Sequence, residues 1–262
     1  MDSFLRDLKF AWRMLAKNPG FTFVAIVTLA LGIGANVATF SIVYAVLLRP
    51  LPFPHQEQLV RVFDDLRGPN VQNIGMSVPE LWDFQQRSGV FQDISAVWPI
   101  SADLTGGDRP ERIEALGTSP DYFTLLGARP QLGHVYTDQD TVPGFIDAVI
   151  LSDGFWRREF GADPNVLGKK IRLDSDPYTV IGVMPPNFRH PGRTLETDVD
   201  AWIAAGYDAN PFPHPARRDL RMFPSAIARL KPGLTVDRAQ AQLESYSAQL
   251  SAQYPDNYPQ AA

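Results

Sequence analysis

The strongest hydrophobic pattern in the chain is one apolar run over residues 21–48, and no charged residue lies between Lys17 and Arg49. A helix needs about 20 mostly apolar residues to cross a bilayer, where its backbone groups must bond internally. A removable secretion signal has a shorter apolar region, of about 7–15 residues, before its cleavage site. Here apolar sequence continues well beyond the small residues at 34–38. The pattern therefore predicts a transmembrane helix over residues 18–48 that is retained as an anchor.

Within this run, small residues recur every four positions, at Ala30, Gly34 and Ala38. Small side chains at that spacing lie on one helix face and let two membrane helices approach closely. The alternative is that glycine and alanine are simply frequent in membrane helices. The spacing marks these three residues as a candidate helix-packing face through which two copies of the chain could associate.

The residues that flank the run predict its orientation. Four basic residues precede it, and after Arg49 the next basic residue is Arg61. Because cationic flanks stay on the cytoplasmic side, residues 1–17 are predicted to lie inside and residues 49–262 outside. This topology is that of a single-pass protein of the inner membrane with a periplasmic domain. The apolar residues before the run fall on one helical face, which predicts an amphipathic helix in the cytoplasmic interface: Phe4, Leu8, Trp12 and Leu15.

After the run, the pattern changes to short segments of mixed type. Residues 59–63 alternate as a strand does, and Ser77 with Glu80 forms a capping box for a helix. From residue 94 to 203 the pattern predicts short strands broken by turns, including a hairpin of residues 169–173 and 178–183. Helices and strands in this order predict an α+β domain.

Helix ends are marked by capping residues. Ser152 stands between an apolar strand at 148–151 and a helix that ends at Gly161, and Gly127 ends a brief helix at 121–126. A strand at 225–230 is followed by a last helix that begins after Thr235. The apolar face of this helix is predicted to contain Val236, Ala239, Leu243, Tyr246 and Leu250.

Composition narrows the possible partners. The chain has a net charge of −5, although residues 1–48 carry four basic and only two acidic side chains. The external part is therefore acidic, which argues against nucleic acid as a partner because phosphate binding needs basic surface. The chain contains no cysteine, so disulfides and thiolate chemistry are excluded.

Candidate chemical groups are few. Ser152 stands at a strand-to-helix turn, as hydrolase nucleophiles do, but the position two residues earlier is Ile150 where that motif needs glycine. The histidines are far apart in sequence and are predicted to lie on the surface or in loops, and the pairs Arg157–Arg158 and Arg217–Arg218 are interpreted as solvated. No phosphate-binding loop sequence occurs. The sequence therefore predicts no catalytic residue, no metal site and no cofactor.

Four stretches carry a resemblance to a known family: NPGFTFVAIVTLALGIGANVATFSIVYAVLLRPLPFP, SPDYFTLLGARPQLG, ILSDGFWRREFGADPNVLGKKIRL and YTVIGVMPPNF. Together they resemble the MacB-like permeases of ABC transporters, and above all the branch called duplicated orphan permeases, which lack a fused ATPase. The resemblance covers nearly the whole chain, from about residue 10 to residue 258.

The resemblance implies a first membrane helix followed by a periplasmic core domain, with a strand-rich subdomain inserted into a membrane-proximal one. On that basis, residues 49–95 and 216–258 are expected to form the membrane-proximal subdomain and residues 96–215 the inserted subdomain. Family members work as dimers whose periplasmic parts move when a cytoplasmic ATPase binds and hydrolyses ATP. They are described as coupling this cycle mechanically to the export or extraction of substrates.

One difference from the family pattern affects the expected partners. Such permeases continue with three more membrane helices, whereas this sequence ends at Ala262. The expectation is a membrane-anchored permease subunit or a truncated fragment, working with a separate ABC ATPase and with a second polypeptide that carries the missing helices. The alternative is a membrane-anchored binding or sensing module, outside the cytoplasm, that recruits a partner.

Overall fold

The computed structural model describes residues 10, 12–43, 52–64, 74–106, 110–137, 148–174, 176–192, 198–204 and 217–258. The chain divides into two compact units, Met1–Leu51 and Pro52–Ala262. The first contains the apolar run and the second contains all the strands described below, and each unit is described by itself.

In the first unit, the apolar run forms helix α1, Pro19–Val43. Residues 12–17 are also helical, whereas the rest of the predicted interfacial helix, at 1–9, and the predicted end of the membrane helix, at 44–48, lie outside the described residues. Polar side chains in α1 bond to its own backbone: Thr28 Oγ1 donates to Val24 O at 2.8 Å and Asn36 Nδ2 to Gly32 O at 2.9 Å. These bonds reduce the cost of placing polar groups in hydrocarbon.

The second unit contains eleven strands and four helices among its described residues. The strands are β1 Leu59–Val62, β2 Met76–Ser77, β3 Phe91–Thr105, β4 Glu111–Thr118, β5 Leu132–Gly133, β6 Ala148–Leu151, β7 Lys170–Leu173, β8 Asp176–Val183, β9 Ala201–Ala204, β10 Arg221–Phe223 and β11 Ser225–Leu230. The helices are α2 Val78–Arg87, α3 Tyr122–Leu126, α4 Asp153–Phe160 and α5 Val236–Gln253.

Nine of the strands form one mixed sheet in the order β1-β11-β3-β4-β9-β6-β8-β5, in which β7 pairs with β3 and β8. The pairs β4–β9 and β6–β8 are parallel, and the others are antiparallel. Strands β2 and β10 form a separate small sheet. The large sheet is mainly antiparallel and carries helices beside it, as the predicted α+β class requires.

The prediction of short strands after residue 94 was wrong for β3, which runs for 15 residues. Its first half pairs with β11, its second half with β4 and its last two residues with β7. Pro99 lies within it, although proline is disfavoured inside strands because it lacks an N–H donor. At this position the strand pairs with Leu116 of β4, and its pairing with β11 has already ended at Val97.

The predicted caps are present and explain where the helices begin. Ser77 Oγ accepts from the backbone of Glu80, and the Glu80 carboxylate accepts from Ser77 N at 2.7 Å, which completes the capping box. Ser152 and Thr235 cap α4 and α5 through their side-chain oxygens, which accept from Phe155 N and Arg238 N, without the reciprocal carboxylate bond. Gly127 ends α3 in the left-handed conformation, with φ 64°, where glycine has no side-chain clash.

Two local predictions need correction. The turn between β7 and β8 is shorter than predicted, because Asp176 and Pro177 already pair with Leu173 and Arg172. In α5, Ala239 and Leu250 are buried, but Val236 is 54% exposed. Val236 is the first residue of that helix, so its side chain lies at the helix end rather than over the sheet.

The apolar interior of the second unit falls into three clusters. One draws only on residues from 60 to 98 and from 223 to 258, two stretches that overlap the predicted membrane-proximal subdomain. A second surrounds Phe123 and Trp202, and the third lies between α4 and the sheet. The boundary at residues 96 and 215 stays a prediction, because one continuous sheet joins these clusters.

Candidate functional site

Helix α1 is the only described helix that is long and apolar enough to cross a membrane, over Pro19–Ser41. The predicted packing residues Ala30, Gly34 and Ala38 all lie within it. At 100° per residue, they span about 80° of the helix surface, on the side opposite Asn36. The packing role of Ala30, Gly34 and Ala38 stays a prediction.

The first described residues after the membrane run are built into the second unit. We call residues 52–58 the post-membrane segment. The Phe53 side chain is only 8% exposed, and its ring centroid lies 6.0 Å from that of Phe188 in an edge-on contact. Pro54 lies against Gly127, where an added Cβ would come within 3.0 Å of Pro54 Cγ. Both contacts place the segment against α3 and the cluster around Phe123.

A buried arginine holds the backbone of this segment. Arg229, in β11, is 7% exposed. Its Nη1 donates to Pro54 O at 2.9 Å and to His55 O at 3.1 Å. Its Nε and Nη2 donate to Leu125 O at 3.1 and 2.8 Å, at the C-terminus of α3, where the helix dipole favours a cation. The sequence analysis missed Arg229, because an arginine in a strand pattern has no local sign of carbonyl partners.

A second group of buried charges lies where β10 meets α2. We call it the arginine cluster, and it consists of Asp64, Glu80, Asp83, Arg218 and Arg221. Arg221 Nη1 lies 2.5 Å from Asp64 Oδ2, and its Nη2 lies 3.2 Å from Glu80 Oε1. Arg218 Nη2 lies 2.6 Å from Asp83 Oδ2. The side chains of Glu80 and Asp83 are each 1% exposed.

The interpretation of Arg217–Arg218 as solvated was wrong for Arg218, whose side chain is 14% exposed. The cause is the buried carboxylate of Asp83, since burying either charge without the other would be costly. Arg217, in contrast, is exposed and pairs with Asp219 on the surface, as interpreted.

The arginine cluster also contacts the segment that follows α5. The Arg218 guanidinium carbon lies 4.0 Å from the ring centroid of Tyr254, and that of Arg221 lies 5.7 Å from the ring centroid of Tyr258. Burial and the Glu80 carboxylate raise the pKa of Tyr258, so its hydroxyl stays protonated. Both ring contacts are thus cation–π interactions. They hold residues 254–258 against the arginine cluster.

A cleft of about 350 Å³ lies beside the N-terminus of α4. Ser152 lines it, but its Oγ accepts from Phe155 N at 3.1 Å as a helix cap. The Arg157 guanidinium holds the pKa of Asp153 below its usual range, and Arg158 pairs with Asp200 at 3.1 Å. These charged groups of the cleft are therefore engaged with one another. Among the described residues, no group of three or more His, Cys, Asp or Glu side chains could hold a metal ion.

His190 also lines this cleft. It was predicted to lie on the surface or in a loop; it is in a loop, but half-buried. Its Nδ1 lies 2.6 Å from Tyr122 Oη. Burial raises the pKa of Tyr122, so its hydroxyl stays protonated, and the tautomer of His190 sets which of the two atoms donates the hydrogen bond. Burial, together with nearby Arg61, lowers the pKa of His190 from 6.5 to about 4.

We expect His190 to contribute to the pH dependence of stability. The unfolded chain takes up the proton near pH 6.5, whereas the folded chain takes it up only near pH 4. The free energy of unfolding should therefore fall as the pH decreases through that window. His190→Asn should flatten the fall, which urea unfolding of the full chain in mild detergent at several pH values would measure. An unchanged slope would contradict the assignment of His190 as a buried neutral group.

A long apolar helix followed by a mixed α+β domain is an architecture that can be compared with known proteins. The MacB-like periplasmic core domain family matches residues 22–246. The chain therefore belongs to that family, whose members are components of ABC transporter permeases. None of the curated proteins matches this chain.

Solved structures are similar in fold at low sequence identity. The periplasmic region of MacB from Actinobacillus actinomycetemcomitans has a TM-score of 0.55 and 16% identity, covering 74% of this chain and 85% of that one. The extracellular domain of the noncanonic ABC-type transporter YknZ from Gram-positive bacteria has a TM-score of 0.52 and 16% identity, covering 75% and 93%. The second unit thus has a MacB-like fold, and the predicted resemblance to MacB-like permeases is confirmed.

Proposed function

We propose that this chain is a membrane-anchored permease component whose external domain relays ATP-driven movement, in order to export or extract a substrate. The observation that supports this most is the way the post-membrane segment is built into the domain. Phe53 is buried in the core and Arg229 binds the carbonyl groups of Pro54 and His55. A displacement that arrives at Pro52 would therefore act directly on the core of the second unit.

The partners we propose follow from the family. The chain would act as a homodimer, with Ala30, Gly34 and Ala38 on the packed face of the membrane helix. It would work with a separate ABC ATPase and with a polypeptide that supplies further membrane helices. The membrane-proximal subdomain would consist of residues 49–95 and 216–258, and the inserted subdomain of residues 96–215.

For topology, we propose that the N-terminus is cytoplasmic and that residues 49–262 are periplasmic, because four basic residues precede α1. A reporter enzyme that is active only outside the cytoplasm should therefore be active when it is fused after residue 48. The same reporter fused before Lys17 should be inactive, and a reporter active only in the cytoplasm should give the opposite pattern. Periplasmic activity of the fusion before Lys17 would overturn the orientation.

The relay of movement can be tested by fluorescence. The chain has no cysteine, so Gln242→Cys gives one labelling site on the exposed side of α5. The labelled chain would be purified with its bound partners from its native membrane and placed in nanodiscs that contain an acceptor dye on the lipid headgroups. We expect ATP with vanadate to change energy transfer. Absence of ATPase activity from the complex, or ATP-independent transfer, would contradict the proposed function.

A further inference from the structure

The post-membrane segment forms no strand and reaches β1 only at Leu59. Between Pro52 and Leu59 its regular structure is a single 3-10 turn, Gln56–Gln58. Among the described residues, strand β1 lies at the edge of the sheet and pairs only with β11. A pull arriving at Pro52 would therefore first straighten the segment and then act on an edge strand, unless something holds the segment upstream of β1.

Two contacts hold the segment before β1: the buried ring of Phe53 and the hydrogen bonds of Arg229, which act on the backbone itself. The four hydrogen bonds described above all end on backbone carbonyls, two of them on the segment and two on the end of α3. Arg229 itself belongs to β11, where it is paired with Leu59 on one side and with Asp93 of β3 on the other. The segment is thus fastened to an interior strand of the sheet and to a helix end at the same point.

The side chain at this position must be arginine for a geometric reason. The guanidinium is a rigid fork with five donors, which reaches carbonyls of two separate chain segments at once. A lysine ammonium keeps the charge but is a single point with three donors on a flexible stem. It cannot bridge the same three carbonyls from three nitrogen atoms.

We propose that Arg229 is the positioning residue that couples the membrane helix to the external domain, by clamping Pro54 and His55 to β11 and α3. This inference rests on the proposed relay of movement. Without the clamp, the residues between Pro52 and Leu59 would straighten toward a full span of about 25 Å, at roughly 3.5 Å per residue, before force reached the sheet. A small movement that arrives at Pro52 would be taken up by this straightening instead of reaching the sheet.

The clamp can be measured by pulling on the full chain in nanodiscs. Because the chain has no native cysteine, DNA handles attach only at the two introduced cysteines, Pro52→Cys and Gln253→Cys. The handles are then stretched in magnetic tweezers. In the otherwise native chain we expect no extension before the sheet unfolds. Arg229→Gln should add an early, reversible extension at lower force, shorter than the full span of about 25 Å for the segment, and Arg229→Lys should add the same step. An early step in the native chain, or its absence from both variants, would overturn the proposal.

Hydrogen exchange of the same chains supplies a second readout and a control. Arg229→Lys should raise exchange in peptides that cover residues 53–60 by about tenfold or more, with exchange in residues 148–160 unchanged, since the opening is local. Arg238→Gln, which removes an exposed arginine of α5, should change neither the exchange nor the extension. Equal loosening of both regions by Arg229→Lys would mean a general structural role and would overturn the coupling role.

The relay itself is tested separately. Neither measurement above uses ATP, a substrate or a partner. Both therefore test the clamp independently of the proposed relay. In the fluorescence assay with the ATPase bound, Arg229→Lys should lose most of the ATP-driven change while ATP hydrolysis continues. A native complex that shows no ATP-driven change would contradict the proposed function instead, and an unaltered change in Arg229→Lys would contradict the coupling role of Arg229.

Discussion

Arg221→Ala is expected to destabilise the external domain by about 3–5 kcal/mol, because it removes one partner of a buried ion group. The Glu80 side chain is 1% exposed and that of Asp64 17%. Both would be left near each other without the guanidinium that neutralises them. Urea unfolding of the full chain in mild detergent, followed by tryptophan fluorescence, would measure the loss of unfolding free energy.

A matched control exists four residues earlier in the chain. Arg217 also pairs with an aspartate, Asp219, but its side chain is 70% exposed. Surface ion pairs contribute roughly 0–1 kcal/mol, so Arg217→Ala should change stability little. Equal losses in Arg217→Ala and Arg221→Ala would show that the arginine cluster is not buried as described.

The arginine cluster also shows what a single sequence cannot reveal. In the sequence, nothing beside Arg218 or Arg221 indicates burial. Their carboxylate partners lie 135 to 157 residues earlier in the chain. Periodicity and capping signals extend over a few residues only, so charge pairing across β10 and α2 could not be inferred.

The features that were predicted correctly have local causes. The length of an uncharged run decides whether a helix can cross a bilayer, and α1 follows from that alone. The caps at Ser77, Ser152 and Thr235 depend on side chains that bond within three residues of themselves. The same locality allowed Ser152 to be interpreted as a cap rather than a nucleophile.

The sheet was less predictable because its order is set by contacts between distant strands. Trp98 of β3 lies over Gly117 of β4, where an added Cβ would come within 1.9 Å of Trp98 Cε2. The indole therefore occupies the space of a side chain at residue 117. This contact cannot be predicted from either residue in the sequence. Similarly, the value of Arg229 depends on carbonyls contributed by residues 54, 55 and 125.

Phe123→Ala is expected to destabilise the domain by about 3–5 kcal/mol, as large-to-small changes at buried phenylalanines do. The Phe123 ring is fully buried, and its centroid lies 5.7 Å from those of Phe188 and Trp202. Because Phe188 also packs against Phe53, the cavity should loosen the post-membrane segment as well as the core. Phe123→Leu refills most of the volume and should cost less.

Urea unfolding gives the free energy for both variants, and hydrogen exchange of residues 53–60 gives the local effect. We expect Phe123→Ala to raise exchange there more than Phe123→Leu does, since Phe53 rests on Phe188 and Phe188 rests on Phe123. Arg229 would still bind Pro54 and His55 in both variants, so the segment should loosen without being released. Full release of residues 53–60 in Phe123→Ala would mean that ring packing, rather than the carbonyl bonds of Arg229, fastens the segment to the domain.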